Sequence, residues 1–467
     1  MQIIKWLCKW HGCGESLYQN HRIMYRNILV VLVCLLSLEV YSQESLSLDS
    51  CIRFGLKNNL TVQNASISSE VANVSYKQSK WNYLPEIYAG GNAGLNSGRS
   101  IDPNTNGVVE TSFISNSFYV SASVDLFKGF SQMNELSYQK YLAISAQNNQ
   151  RKVEDEIAFT IMNAFFDVVY FDELVSIANE QRELSKLNLK KTEVLVVTGL
   201  KAEADLLEVK ANVERDELFY IQSQNQHISA LFKLRRAMNV GSDFNLEIRK
   251  PQDSTLVVPI SDTNSDSLFQ AYALQSPELN SLENEWLASL KSVSVKRSGY
   301  YPFLRLEASL GSAYYETNKD SLGQTYEYRY QLKSNVSQYV GLSLLVPIFK
   351  KNDVRSSVKR AKLQSEINKN LFDKAKQDIQ LEIVENVNSM VAANRELSQA
   401  QNQLQADRLA FEAAQKKFDK GMISVVDFYT AKNRLSNTKG QVLRARLTLE
   451  IKKRTIDFYK GIRFWEQ

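Results

Sequence analysis

Few side chains of this chain have the chemistry for catalysis or for holding a metal ion. The 467 residues include three His and four Cys, namely His11, His21, His227, Cys8, Cys13, Cys34 and Cys51. Zinc, haem and iron–sulfur centres need several such ligands together, and these residues are too scattered. The sequence also lacks a nucleophile elbow and a glycine-rich phosphate loop. We therefore predict no enzyme, no metal site and no cofactor, and interpret His227 as a polar residue of a helix surface or helix interface.

Carboxylates are the remaining candidates, because acidic residues follow two glycines at matching positions. Asp205 comes six residues after Gly199, and Asp427 comes six residues after Gly421. Glu208 lies three residues beyond Asp205, so these two acids share one face of a helix. What such carboxylates can act on depends on the elements that position them.

The composition is that of a folded chain with long helices. It is 44% apolar and 23% charged, with 56 Lys and Arg against 51 Asp and Glu and a net charge of +5. This balance excludes a disordered chain and a polyanion binder, so no nucleic-acid partner is expected. The seven Pro leave residues 104–250 and 348–467 free of Pro, and such stretches can form very long helices.

The N-terminal segment has the pattern of a secretory signal. An apolar run covers residues 28–38, with Arg26 before it and the small Ser42 after it. Because this run is too short to cross a bilayer as a helix, we predict a signal peptide at 24–42, with a buried strand or helix as the alternative. Signal peptides begin close to their charged region, so we expect Met24 to be the initiator and residues 1–23 to be a wrongly assigned extension. Val33 before Cys34 argues against lipidation, and Cys51 is the one Cys after residue 42, which excludes an internal disulfide.

The sequence contains an internal duplication. Gly199 and Asp205 recur 222 residues later as Gly421 and Asp427, and Pro85 recurs as Pro302 with a spacing of 217. The difference of five residues indicates a longer loop in the second copy. We predict a first structural repeat at 43–240, an equatorial linker at 241–264 and a second structural repeat at 265–467.

Four segments alternate apolar and polar residues and predict strands at about 86–97, 117–127, 303–314 and 336–348. In the first of them, Ile87, Ala89 and Leu95 share one face. A soluble sheet would bury this face against helices, whereas a membrane barrel would turn it to lipid. The loops 97–111 and 316–338, with several tyrosines near the second, are typical of an outer-membrane rim. The strands alone leave both alternatives open.

The helical pattern favours a wall of helices. Stretches at about 131–198 and 352–420 contain no Pro, and each reaches roughly 100 Å at 1.5 Å per residue. In both stretches apolar residues recur at alternating spacings of four and three, and form the seam of a coiled coil. Two positions of the seam in the second stretch are polar, Asn386 and Asp407. Gly199 and Gly421 end these helices, and return helices follow at 202–238 and 425–461. Continuous helices at 46–84 and 265–301 precede the strands. Each of them, stacked end to end with a return helix, matches the length of one long helix.

With this order of elements, the chain resembles the TolC family of outer-membrane efflux proteins. The resemblance rests on a set of short motifs that occur in order: Ser47-Leu48-Asp49, Lys57-Asn58-Asn59, Tyr83-Leu84-Pro85, Tyr300-Tyr301-Pro302 and Val346-Pro347-Ile348-Phe349. It also rests on the motif Gly-x5-Asp-x4-Lys, which begins at Gly199 and again at Gly421. The resemblance implies a mainly α fold with a β-barrel part, built from a duplicated helix-strand-strand-helix-helix unit. It implies a homotrimer that forms a 12-stranded outer-membrane β-barrel continuous with a long periplasmic α-helical barrel. Four strands are too few to close a membrane barrel, so association is expected in any case.

The family resemblance also implies a function and a location. It predicts an outer-membrane channel of a tripartite efflux or type I secretion system, with a large periplasmic portion. Its partners would be a periplasmic adaptor (membrane fusion) protein, an inner-membrane transporter and outer-membrane lipid. The alternative is a periplasmic coiled-coil scaffold with a soluble sheet. The sequence does not identify the exported substrate.

The resemblance places two kinds of site at the glycine turns. An adaptor would dock at Gly199, Leu200, Gly421 and Met422, although these glycines also fit plain helix caps. The periplasmic entrance would be narrowed by carboxylates, and the candidate residues are Asp427, Asp205, Glu208 and Thr430. Thr430 stands where the family has a second acid, so a single acidic ring at Asp427 is the expectation. The alternative is that Asp205 and Asp427 bond neighbouring helices, or Lys210 and Lys432.

Overall fold

The computed structural model describes residues 45–101, 106–241, 244, 246–250 and 264–465. The predicted signal peptide, the segment before it and most of the predicted linker lie outside these residues. The described chain forms two compact units. In the small unit, Leu46 pairs with Ile248 in a parallel bridge, and the Leu46 amide donates to the Glu247 carbonyl at 2.8 Å.

The larger unit contains the long helices and a sheet. In chain order its elements are α1 (Leu48–Asn58), α2 (Leu60–Trp81), β1 (Glu86–Ile101), β2 (Val108–Lys128), α3 (Ser131–Val197), α4 (Glu203–Met238), α5 (Ser265–Gln275), α6 (Pro277–Arg297), β3 (Phe303–Tyr315), α7 (Tyr328–Ser334), β4 (Ser337–Leu345), α8 (Asp353–Asp419) and α9 (Val425–Tyr459). Among the residues described, none of the helices is both long and apolar enough to cross a membrane.

The long helices α3 and α8 end within a residue of the bounds that the sequence predicts. Both begin after a residue in left-handed conformation, Phe130 with a φ of 63° and Asn352 with a φ of 60°, so the two repeats enter their long helix in the same way. The predicted seam of α8 is buried at Ile379, Ile383 and Leu397. Its two polar members are also partnered, which explains why they are tolerated there. Asn386 accepts from Lys452 at 2.9 Å and Asp407 accepts from Thr438 at 2.7 Å.

The helices before the strands are broken, whereas the sequence predicts continuous ones at 46–84 and 265–301. Asn59 ends α1 and also caps α2, because its side chain accepts the Thr61 amide at 2.8 Å and its amide bonds the Gly55 carbonyl. In the second repeat Ser276 caps α6, which starts with Pro277. Proline fits the first turn of a helix but interrupts the one before it. Both predictions of a continuous helix are therefore wrong.

The sheet is antiparallel and its strand order is β1-β2-β3-β4. The central β2–β3 pair joins the two repeats, so neither repeat folds as a separate sheet. β2 begins at Val108 rather than at about 117, and β1 continues to Ile101 rather than to 97. The prediction was too short because this outer part of the hairpin lacks apolar alternation. β4 ends at Leu345 rather than at 348, since Pro347 has no amide to donate to a ladder.

Candidate functional site

One face of the sheet is apolar and uncovered. The register places Ile87, Ala122, Ala308 and Val340 in one row across all four strands. The neighbouring rows continue this face with apolar residues, namely Ala89, Leu95, Phe118, Val120, Val124, Leu306, Leu310, Leu342 and Leu344. Leu95 is 73% exposed and Val340 is 74% exposed. Contiguous apolar area on this scale marks a surface that contacts lipid or another protein.

The opposite face is polar. Its rows carry Ser121 and Ser309 between strands, together with an ion pair between Arg305 and Asp125 at 2.9 Å. Lys128 bonds the same aspartate at 3.1 Å. This division into a polar and an apolar face is typical of a sheet with water on one side and hydrocarbon on the other.

The sheet has two open edges in the described chain. The order places β1 at one edge and β4 at the other, so each has backbone groups with no strand partner along its outer side. Open edges within a membrane would leave those groups unsatisfied in hydrocarbon, which is costly. Pairing with further strands would satisfy these backbone groups.

Aromatic side chains lie where the strands meet the helices. Phe127 and Phe130 contact edge to face at 5.2 Å, and Phe130 contacts Tyr301 in the same way at 6.0 Å. Phe130 and Tyr301 are about half exposed. Such rings at the end of an apolar band are typical of a membrane interface.

The predicted glycine turns have the geometry of helix caps. Gly199 has a φ of 72° and Gly421 a φ of 69°, in the left-handed region that glycine adopts without strain. Beyond them the Leu200 amide donates to the Leu195 carbonyl at 2.8 Å, and the Met422 amide donates to the Lys417 carbonyl at 2.8 Å. These are the bonds of a Schellman cap. The residues after the glycines remain outside, with Leu200 73% exposed and Met422 67% exposed.

The two turns lie at the same end of the helices. Val209 of α4 packs in one buried cluster with Phe418 of α8 and with Val425, Phe428 and Tyr429 of α9. The rings of Phe418 and Phe428 stack at 4.5 Å. Lys201, just after the first turn, lies over the Phe418 ring at 4.2 Å. This end of the long helices thus carries two turns with exposed apolar residues, and one buried cluster connects the helices beside them.

The predicted carboxylates lie at the starts of α4 and α9. Ser424 caps α9 by accepting the Asp427 amide at 3.1 Å, and its hydroxyl donates to the Asp427 carboxylate at 2.7 Å. Asp427 is exposed, whereas Asp205 and Glu208 are half-buried in the first turns of α4. Thr430 is exposed and donates to the Val426 carbonyl at 2.8 Å.

The alternative expectation that Asp427 bonds Lys432 is wrong, because Lys432 bonds other residues. Lys432 is 3% exposed and donates to Ser185 of α3 at 2.6 Å and to the Asp216 carboxylate of α4. Ser185 also donates to Asp216 at 2.6 Å. Burial lowers the pKa of the Lys432 ammonium, and the Asp216 charge opposes that effect. Lys210, at the same place in the first repeat, is exposed, so the repeat pattern gave no signal for this buried cluster.

Within the described ranges, the residues with catalytic chemistry are not brought together. Among residues that the structure describes, no three His, Cys, Asp or Glu are arranged to hold a metal ion. His227 lies 3.7 Å from Asp172 between α4 and α3. Burial, with Asp49 nearby, raises the pKa of the Cys51 thiol to about 12, which leaves it protonated and unreactive.

The chain is similar in sequence to outer membrane efflux proteins. The family model described as outer membrane efflux protein matches residues 54–240 and 268–461, one segment in each repeat. The solvent efflux pump outer membrane protein SrpC of Pseudomonas putida is 21% identical over 327 residues, which span 69% of this chain and 66% of that protein. The outer membrane protein TolC of Escherichia coli is 23% identical over 71% of this chain and 67% of its own length.

A solved structure shares the fold at low identity. The CmeC outer membrane channel of Campylobacter jejuni superposes with a TM-score of 0.78 at 16% identity, over 89% of this chain and 85% of that chain. The chain spans slightly less than two thirds of the length of SrpC.

Proposed function

Because the chain belongs to the outer membrane efflux protein family, we propose that it is one protomer of a trimeric channel that conducts solutes passively across the outer membrane. The observation that carries this proposal is the sheet, which has an uncovered apolar face, a polar face and two open edges. A soluble scaffold would cover that face with its own helices, and the described helices leave it exposed.

The sheet geometry supports association of several copies. Closing β1 of one copy against β4 of the next would satisfy both edges. Four strands cannot enclose a membrane barrel, and three copies would supply twelve, within the range of known barrels. The apolar face would then contact lipid and the face with Arg305 and Asp125 would line water.

The helices would continue this channel below the membrane. α3 and α8 each have 67 residues, or about 100 Å at 1.5 Å per residue. The glycine turns would then lie far from the barrel, on the periplasmic side. We infer that Gly199, Leu200, Gly421 and Met422 form the docking surface of a periplasmic adaptor, which links the channel to an inner-membrane transporter.

The entrance would carry carboxylates. Asp427 is exposed at the start of α9 and held by Ser424, so its charge has a fixed position. Three copies would place three such charges around the opening, with Asp205, Glu208 and Thr430 nearby on the same end. A carboxylate ring favours cations over anions.

Planar bilayer recording tests the proposed function. Purified protein should insert from detergent and give discrete conductance steps without ATP or another energy source. Heat-denatured protein in the same detergent is the matched control. Protein that remains folded and never conducts would contradict the channel assignment.

A further inference from the structure

The helix α7 carries a cationic surface flanked by tyrosines. We define the α7 surface as Tyr326, Arg329, Tyr330 and Lys333, all of which are exposed. The rings of Tyr326 and Tyr330 are stacked at 5.2 Å with an angle of 26° between them. Neither the β-barrel nor the helical duct of the proposed channel requires this surface.

The α7 surface is held rigidly because its helix replaces a missing strand. β4 pairs with β3 only as far as Gly311, which leaves the end of β3 without a partner on that side. Gln331, 1% exposed, accepts the Tyr315 amide at 3.1 Å and donates to the Tyr315 carbonyl at 3.1 Å. Asn335 donates to the Ala313 carbonyl at 2.8 Å. These two amides satisfy the open edge of β3 and fix α7 against it.

The contacts of α7 place it on the apolar side of the sheet. Ser312 donates to the Leu332 carbonyl at 2.6 Å, and the Tyr314 ring contacts the Tyr328 ring at 4.9 Å. Ser312 and Tyr314 point to the same face as Leu310, since side chains alternate along a strand. The apolar residues of β3 on this face end at Leu310. α7 therefore lies just beyond the apolar band, at the end of the sheet away from the long helices.

The two cations point away from the sheet. Successive helical residues are about 100° apart, so Arg329 and Lys333, each two residues from Gln331, lie on the opposite side of α7. Neither forms an ion pair with any described residue. Two carboxylates of the segment between β3 and α7 are engaged with backbone amides, since Glu316 accepts from Ile114 and Asp320 accepts from Leu322. The cationic side is therefore available to a ligand.

We propose that the α7 surface binds the phosphorylated sugar headgroup of a glycolipid in the outer leaflet. Guanidinium and ammonium groups bind phosphate through charge-assisted hydrogen bonds, and exposed tyrosine rings offer an apolar face with a polar tip at the headgroup level. The lipid-facing side of β3 is continuous with α7, so a lipid whose chains contact Leu310 brings its headgroup to this surface. The inference rests on the proposed membrane placement of the sheet.

Lipid binding to the detergent-solubilised full chain tests the proposal. The probes are diphosphoryl lipid A, its dephosphorylated form and phosphatidic acid, and the readout is the dissociation constant at low and high salt. The double variant Arg329→Gln/Lys333→Gln removes both charges, and we expect it to bind diphosphoryl lipid A roughly tenfold more weakly. The control Lys416→Gln/Lys420→Gln removes a pair at the same spacing near the far end of α8 and should bind like the wild type.

A second variant tests the sugar contact. Tyr326→Ala/Tyr330→Ala should lose the preference for lipid A over phosphatidic acid and keep the dependence on salt. Equal binding of diphosphoryl lipid A by the wild type and Arg329→Gln/Lys333→Gln would overturn the proposal. So would a changed oligomer mass in that variant with lipid affinity unaltered, because the surface would then contact another copy. If the wild type conducts in bilayers but does not bind diphosphoryl lipid A, the lipid proposal is wrong while the proposed channel stands.

Discussion

Asp427 is part of the cap of α9, and we propose that its charge also acts at the channel entrance. Its backbone amide donates to the Ser424 hydroxyl, which in turn donates to the Asp427 carboxylate, so the position of the charge is set by the start of α9. A substitution that keeps the hydrogen bond and removes the charge separates the two roles.

We expect Asp427→Asn to lower the preference of the channel for cations and to leave its stability within about 0.5 kcal/mol of the wild type. The reversal potential in a KCl gradient measures the first effect. Asp419→Asn, which removes a charge before the second turn, is the matched control. A reversal potential equal to that of the wild type would restrict Asp427 to helix capping.

Lys432 shows how a charge can be buried in this fold. It bonds Ser185 and Asp216, and so connects α9 with α3 and α4. Removing one partner leaves the other charge buried and unpaired, which costs about 3–5 kcal/mol. Replacing both with apolar residues of similar size avoids that cost.

Lys432→Met should therefore destabilise the helical part strongly, and Lys432→Met/Asp216→Leu should recover most of the loss. Thermal unfolding followed by circular dichroism in detergent gives the comparison. Lys210→Met, at the equivalent exposed position of the first repeat, should change little. A double variant no more stable than the single one would show that the charge pair is not the reason for the effect.

Cys51 gives a chemical measure of burial. Its pKa is raised to about 12 by burial and by Asp49, so the folded chain keeps a proton that the unfolded chain releases near its ordinary pKa of about 8.5. The contribution of Cys51 to stability is thus fully present below that ordinary pKa and is lost as pH rises toward 12.

The exported protein without residues 1–42, in which Cys51 is the one Cys, should show no thiol labelling by a water-soluble disulfide reagent at pH 8 until it unfolds. Labelling in denaturant serves as the positive control. Rapid labelling of the folded protein would contradict the described packing around α1.

Among the elements, the glycine turns cap the two long helices, and we propose that they also dock the adaptor. Both glycines have positive φ, and both are followed by an exposed apolar residue. We expect Leu200→Asp and Met422→Asp each to weaken adaptor binding by about tenfold, because an apolar contact is replaced by a buried charge. Surface binding of the purified adaptor measures this. Leu274→Asp, at an exposed leucine near the end of α5, is the control, and equal losses in all three variants would remove the docking assignment.

Periodicity predicted the long elements because their pattern repeats many times. The stretches without Pro and the glycines after each long helix predicted the bounds of α3 and α8 to within a residue. Short-range features were missed where a single side chain decides. Asn59 breaks a helix by capping both of its parts, and α7 depends on Gln331 reaching the backbone of β3, which no spacing in the sequence reports.

The candidate sites were only partly predictable for the same reason. Gly199 and Gly421 could be found because glycine at a helix end has a conformational cause. The buried cluster of Lys432, Asp216 and Ser185 could not, since its members come from three helices and Lys432 has an exposed counterpart in Lys210. Which of two equivalent lysines is buried depends on tertiary packing.

For the whole molecule, the duplication explains the sheet. Each repeat supplies two strands, and β2 of the first repeat pairs with β3 of the second. The outcome, in the part of the chain that the structure describes, is one sheet with two free edges rather than two closed halves. The apolar face and those edges make the single chain incomplete as a membrane structure.

The most direct test of the proposed channel is the mass of the protein extracted from outer membranes in mild detergent, after the detergent contribution is subtracted. We predict three chains per particle, with β1 of each copy paired to β4 of the next. A monomer that remains soluble without detergent would contradict it, because the apolar face of the sheet would then have to be covered by the chain itself.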